Sequence, residues 1–533
     1  MRVLALSTLG LAIGTIGYAG GSMTHPHPSR DTGPDSAHVA KFLTALGVSD
    51  PMVCEMTADM LGNHWGWGGR RWSVGVLHDR VVSEASKDTM SNSVTDARAF
   101  PLLAKQLGEE NPCVRRAAAQ LLAESPSPQA VQSLRAAFKS TDQRVKEAAI
   151  FGLGRNEDTA SRSALEGTLK DADPVIARMA AYALGSMQTH ASVTPLLAAA
   201  EGQDVGLRRA AVWALGSIED ARAVPGITPK LKDKDAGVRA IAAEALGSID
   251  DKSAGPALIA ALGDADPEVR LEVVGALGSI EDGRAAEPLV ALLTDADPEI
   301  RARTADALGS IEDKRAVPGL IRALRDKDPE VRASAARALG SIEDARAADP
   351  LAALITDSDR DVREAAIEAI GSLDDLHKAP GALVSALKDG DRDVRVATAH
   401  ALGHLEDPST VSALSAAIGD PDREVREAAI EAIGSMDEMH KAPAGLTAAL
   451  KDADREVRKA AAETLGHIGD PATISALGAA IKDDDAQVRR AVVEAMGNLE
   501  SGDVTNYLVS AMKDSDPEVR RAAAEALGQK RED

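Results

Sequence analysis

The chain has 533 residues, more than one compact core holds, but stacked units that bury themselves against their neighbours carry no such limit. Only 2% of residues are aromatic, so the interior must be built from Ala, Val, Ile and Leu. A formal net charge of -23 argues against a nucleic-acid partner, whose phosphates need Lys and Arg, although an acidic surface also keeps a protein soluble.

Met1-Arg2 leads into an apolar run over residues 3–18, shorter than the roughly 20 residues a membrane-spanning helix needs. Gly17 and Ala19 are small residues placed for cleavage after Ala19, so residues 1–19 read as a secretory signal peptide. An uncleaved short anchor is the alternative. The expectation is an exported chain, periplasmic or extracellular, with no membrane span after cleavage and no cysteine placed for lipidation. Residues 20–35, with His25-Pro26-His27-Pro28, read as a disordered linker whose histidines are not metal ligands.

Residues 36–95 begin with a helical pattern and continue with DPMVCEMTADMLG at 50–62. A Gly-rich insert follows, holding Trp65, Trp67 and Trp72 with Arg70 and Arg71. It either caps the open flank of the first unit or forms a recognition loop. Cys54 and Cys113 flank it, and an oxidising compartment would allow them to pair as a disulfide.

From residue 96 to 533 one sentence repeats, clearest at 266–278 as DPEVRLEVVGALG. Asp266 stands as an N-cap, Pro267 fills the first helical position, and Gly278 is placed to close the helix in the left-handed conformation. Taking Arg270 as a marker, equivalents recur every 31 or 32 residues, with Gly eight positions later, except at Ala123, and Asp four positions earlier, except at Asn111. Val269, Val273, Val274 and Leu277 share one side of the helix, the side that packs. A preceding helix carries apolar residues such as Leu320, Ile321 and Leu324. Each unit therefore reads as two antiparallel helices, and the period as that of a solenoid. The markers Arg239, Arg270, Arg301 and Arg332 are expected to meet the cap aspartates of adjacent units, Asp266, Asp297 and Asp328 among them, as a ladder. On that account Arg332→Ala lowers stability more than Arg322→Ala.

These units, with their DP-x-VR start and A-L-G finish, resemble HEAT repeats, specifically the phycobilin-lyase HEAT-like kind. The resemblance implies an all-α, right-handed α-solenoid (a superhelix) of about fifteen two-helix repeats, with second helices lining the concave side. It is specific for fold and unspecific for function, since such repeats serve scaffolds, adaptors and a few enzymes. Deoxyhypusine hydroxylase, built on similar repeats, holds di-iron through His-Glu pairs, and none of the eleven histidines here precedes a Glu. The segment at 359–380 recurs 63 residues later at 422–443, which explains His377 and His440 by duplication.

The informative column lies five residues after the marker, opposite the packed stripe. It runs Gln120, Phe151, Tyr182, Trp213, Glu244, Gly275, Asp306, Arg337, Glu368, His400, Glu431, Glu463, Glu494 and Glu525. Three successive aromatics replace the usual acid, so Phe151, Tyr182 and Trp213 are expected to form an apolar strip that anchors a partner. Burial of the column by an early twist is the competing reading. Glu431, Glu463, Glu494 and Glu525 form a solvated face or a groove for a basic partner. Carboxylates one repeat apart are too widely spaced to share calcium, and Gly403, placed to end the helix between His400 and His404, argues against a metal there.

The sequence has no G-x-S-x-G, Walker loop, H-E-x-x-H or Cys-x-x-Cys. The resulting expectation is a non-catalytic scaffold, without cofactor or metal, that binds a protein or peptide on its concave face. An enzyme or enzyme subunit of the HEAT-like lyase or hydroxylase type is the alternative. Self-association through the uncapped last helix, near 522–528, is a third.

Overall fold

The computed structural model describes residues 36–47, 94–373, 376, 378–436, 439–499 and 504–529. The signal peptide at 1–19, the linker at 20–35, Cys54, His377 and the insert with Trp65, Trp67, Trp72, Arg70 and Arg71 lie outside the described residues. Among the described residues all regular structure is helical. The chain divides into two compact units, residues 1–156 and 157–533.

In the first unit, Ser36–Gly47 packs beside the pair Ala99–Gln106 and Pro112–Ala123, and a second pair follows, Pro128–Phe138 with Gln143–Arg155. Its core draws on Val39, Leu43, Phe100, Leu103, Leu122 and Leu134. Cys113, at the start of the Pro112–Ala123 helix, is disulfide-bonded.

The second unit is an α-solenoid of two-helix repeats, from Arg162–Thr168 with Pro174–Ser186 to Thr505–Ala511 with Pro517–Gln529. Each second helix packs directly on the next, whereas the short first helices barely touch one another. In the Pro267–Ser279 helix, Val269, Val273, Val274 and Leu277 are fully buried, as the stripe requires.

The helix ends follow from local chemistry. Asp266 accepts a hydrogen bond from the Glu268 amide at 3.0 Å, with Pro267 in the first turn, and equivalents recur down the array. The glycine, however, does not close the helix. Gly278 lies inside it, and a Cβ there would stand 3.0 Å from Ala307 Cβ and 3.1 Å from Ala307 Cα. The column is glycine because neighbouring second helices approach to near backbone contact. The left-handed residue comes three positions later and is usually an acid: Glu219, Asp250, Glu281, Glu312 and Glu343 all have positive φ, and among the described residues only Gly469 supplies a glycine there.

The ladder also uses a different acid from the one expected. Arg301 donates from Nε and Nη2 to Asp326, each at 2.8 Å, not to the cap Asp328. Asp326 in turn accepts the Asp328 amide at 2.9 Å and, through its backbone carbonyl, Arg332 Nη1 at 2.9 Å. Arg239 pairs likewise with Asp264, and Arg270 with Asp295. The cap carboxylates Asp266, Asp297 and Asp328 are committed to their own helix amides. A cap aspartate is met across repeats by the residue after the marker, as when Arg209 holds Asp235 at 2.7 Å.

A second set of ties joins the first helices. Asp282 pairs with Arg284, whose Nη2 donates to the Lys252 carbonyl of the preceding repeat at 2.7 Å. Arg315 reaches the Gly283 carbonyl in the same way at 2.7 Å. In the duplicated repeats, where Lys-Ala-Pro leads into the first helix, the Ala379 and Ala442 amides donate forward to Asp407 and Asp470.

Candidate partner-binding face

The 31-residue step puts Tyr182, Trp213 and Glu244 at the same height on three adjacent second helices, Pro174–Ser186, Val205–Ile218 and Ala236–Ile249. Tyr182 and Trp213 meet, with ring centroids 5.2 Å apart and planes tilted by 57°, a favourable spacing for two aromatic rings. Gly185 makes room for the indole: a Cβ there would fall 2.9 Å from Trp213 Cζ3. Both rings are half-buried, not standing free on the surface as expected. Burial pushes the Tyr182 phenol up, against the opposing pull of Arg178 and Arg209. Phe151 belongs to the first unit, half-buried against that unit's core, and Gln120, the column's first member, is buried outright.

On its other side Trp213 borders a recess of about 280 Å³ between its own helix and the next. The recess is lined by Gln188, Ser217, Glu219, Ile241, Glu244 and Ser248, among others. Desolvation by these packed neighbours raises the Glu244 carboxyl above the ordinary range, although the residue keeps one side to solvent. Gln188 and Glu219 are the left-handed residues that end two second helices. The sequence column could not show that they reach this recess, because they lie at helix ends six residues beyond Tyr182 and Trp213.

The C-terminal glutamates occupy the same column and are exposed. Three have a Lys or Arg on the same face, and Glu431 has a histidine. Glu431 stands 3.8 Å from His400, Glu463 3.8 Å from Lys459, Glu494 3.0 Å from Arg490, and Glu525 3.0 Å from Arg521. Glu431 and Glu463 also line an open groove of about 890 Å³ that includes Arg423, Arg455 and Lys459. This end of the face is therefore a lattice of both signs, with much of its acidity already answered. His400 and His404 share one helix, which runs through Gly403 to His404. Among the described residues no three metal-ligating side chains come together, and no helix is long and apolar enough to cross a membrane.

A family model for HEAT repeats matches residues 89–154, 136–216, 194–264, 224–295, 286–371, 380–452 and 442–528. The chain belongs to the HEAT-repeat family. Among solved structures, one of importin beta is similar at a TM-score of 0.55 and 14% identity, over 92% of this chain and 77% of that one. A structure of Kap95p binding to RanGDP matches at a TM-score of 0.51 and 14% identity, over 92% of this chain and 83% of its own. These likenesses show the fold alone. A complex of CpcE and CpcF of phycocyanin lyase matches at a TM-score of 0.29 and 23% identity, over 46% of this chain and 93% of its own, too distant to support the lyase kind of repeat. No curated protein sequence matches.

Proposed function

We propose that this chain is an exported, non-catalytic scaffold that holds a protein or peptide segment along the concave, second-helix face of its second unit. The observation that carries the reading is the Tyr182–Trp213 pair, two half-exposed rings in contact on that face in a chain with 2% aromatic residues. Aromatic anchors of this kind dominate binding energy where they can be desolvated by a partner. Closely packed second helices beside loosely spaced first helices curve such a stack toward the second-helix side, which gives an extended partner a long trough. Two similar structures agree in kind: importin beta shares the fold, and Kap95p is described as binding RanGDP. The acidic balance favours a basic partner and disfavours nucleic acid. The missing catalytic motifs support a binding role, and the apolar run after Met1-Arg2 supports export.

Peptides selected from a displayed random library on the full chain test this. They are expected to lose about tenfold or more in affinity on Tyr182→Ala with Trp213→Ala, as hot-spot residues do. Peptides indifferent to both changes would overturn the reading.

A further inference from the structure

We infer that the recess beside Trp213 receives a cationic side chain, an arginine or lysine, from the segment bound on this face. The inference rests on the face being a partner surface and adds what the partner must bring.

Three observations converge. First, the recess is bounded by the Trp213 indole and by aliphatic Ile241 and Ala245, which suit the methylene stem of a long side chain. An indole face also attracts a guanidinium or ammonium group directly. Second, the polar lining is Gln188, Ser217, Ser248 and the carboxylates of Glu219 and Glu244, with no basic residue among them. Third, Glu244 differs from every acid further along its column except Glu368, which is likewise raised by desolvation. Asp306 lies 3.9 Å from Arg337; Glu463, Glu494 and Glu525 each have a Lys or Arg within 3.8 Å, and Glu431 has the His400 imidazole at 3.8 Å. Glu244 and Glu219 have no such side-chain partner among the described residues, and Glu244 is the one flanked by an aromatic ring.

The consequence is a charge held in a partly desolvated recess, which a cation from outside would satisfy. A neutral segment would cover Glu244 and leave it unpaired, at a penalty. A cationic one fills the recess, stacks on the indole and reaches both carboxylates. Arg178 and Arg209 are turned to other work, since Arg209 holds Asp235 and Arg178 donates to the Pro174 carbonyl and approaches Asp204.

The test uses the full chain and a fluorescent peptide of alternating arginine and serine, beside the same peptide with citrulline, which keeps the shape and removes the charge. Fluorescence anisotropy is expected to show the citrulline peptide binding about tenfold more weakly. Glu244→Gln, an isosteric change on an exposed side chain, is expected to weaken the arginine peptide by a similar factor. Glu494→Gln, which removes an equal charge already paired with Arg490, should leave it within about twofold. Equal losses in the two variants would mean diffuse attraction to an acidic protein and would overturn the assignment. So would equal binding of the citrulline peptide. If in either case binding still falls with Tyr182→Ala and Trp213→Ala, the docking face stands and only the cation recess is lost. Indifference of every peptide to the two rings would remove both readings.

Discussion

Arg332 holds Asp357 of the following repeat by a two-pronged ion pair, Nε and Nη2 lying 2.9 and 2.8 Å from its two carboxylate oxygens. Its third nitrogen, Nη1, donates at 2.9 Å to the backbone carbonyl of Asp326, the residue that Arg301 grips from the repeat before. One guanidinium thus ties the acid ahead of it to the loop of its own repeat, and the arrangement recurs at Arg395, Arg458 and Arg489.

Removing such a group leaves Asp357 charged, largely buried and without its cation. Arg332→Ala is expected to cost about 2–4 kcal/mol. Arg322→Ala, at an exposed first-helix position, should stay within about 0.5 kcal/mol. Arg332→Lys should recover only part of the loss, because an ammonium lacks the planar fork. Chemical denaturation followed by circular dichroism reads all three, and equal effects of Arg332→Ala and Arg322→Ala would count against the ladder.

The glycine column predicts a contrast between two identical changes. A Cβ on Gly247 would lie 2.8 Å from Ala276 Cα, so two second helices must separate; about 1–3 kcal/mol of destabilisation is expected for Gly247→Ala. Gly167, inside the Arg162–Thr168 helix, has nothing within 4 Å of such a Cβ. Gly167→Ala should therefore stabilise by about 0.5–1 kcal/mol through helix propensity. Melting temperatures moving in the same direction would contradict the packing account.

The left-handed helix ends offer a stabilising change. Glu343 has φ 51° and is exposed, and its side chain has no polar contact among the described residues. Glu343→Gly removes the steric penalty of that conformation and should raise stability by about 0.5–1 kcal/mol, whereas a β-branched Glu343→Val should lower it. The natural glycine at position 469, with φ 67°, shows the alternative within the same chain.

Stability should depend on pH with a definite sign. Arg239 holds the Asp264 carboxyl below its ordinary range, Arg489 does the same for Asp514, and Arg346 brings Asp344 down to about 2. A carboxyl whose folded pKa is depressed stabilises the fold above its unfolded pKa of about 3.9 and stops doing so as pH falls through the folded value. Glu244 and Glu368 are shifted upward by desolvation, so their protonation favours the fold as pH drops toward their raised values. Denaturation midpoints should hold or rise slightly from pH 7 to about 5 and fall steeply between about 4 and 2. A steep loss already between pH 7 and 5 would contradict the assignment of stability to these carboxylates.

Much of this was legible in the sequence because each repeat restates the same local rules. Asp266 with Pro267 marks a helix start by chemistry that depends on nothing distant. The buried stripe of Val269, Val273, Val274 and Leu277 follows from helical spacing. What escaped was set by contact between repeats. Gly278 carries the sequence signature of a helix end, and only the approach of Ala307 shows that its missing side chain serves packing. The ladder's true acid was within reach of a closer reading, since each cap aspartate from Asp235 onward follows another aspartate two residues earlier, as Asp328 follows Asp326. The half-burial of Tyr182 and Trp213 depends on how the neighbouring helix crowds each ring, and a column of residue types does not record that.

The central claim is that Tyr182 and Trp213 lie under the bound partner. Hydroxyl-radical footprinting of the full chain, with and without a library-selected peptide, tests it most directly, because both rings are reactive and partly open to solvent. Labelling at Tyr182 and Trp213 is predicted to fall several-fold on binding, while labelling at exposed Val509, on the Thr505–Ala511 helix, and Met512, just after it, stays constant. Unchanged labelling of the two rings in a saturated complex would contradict it.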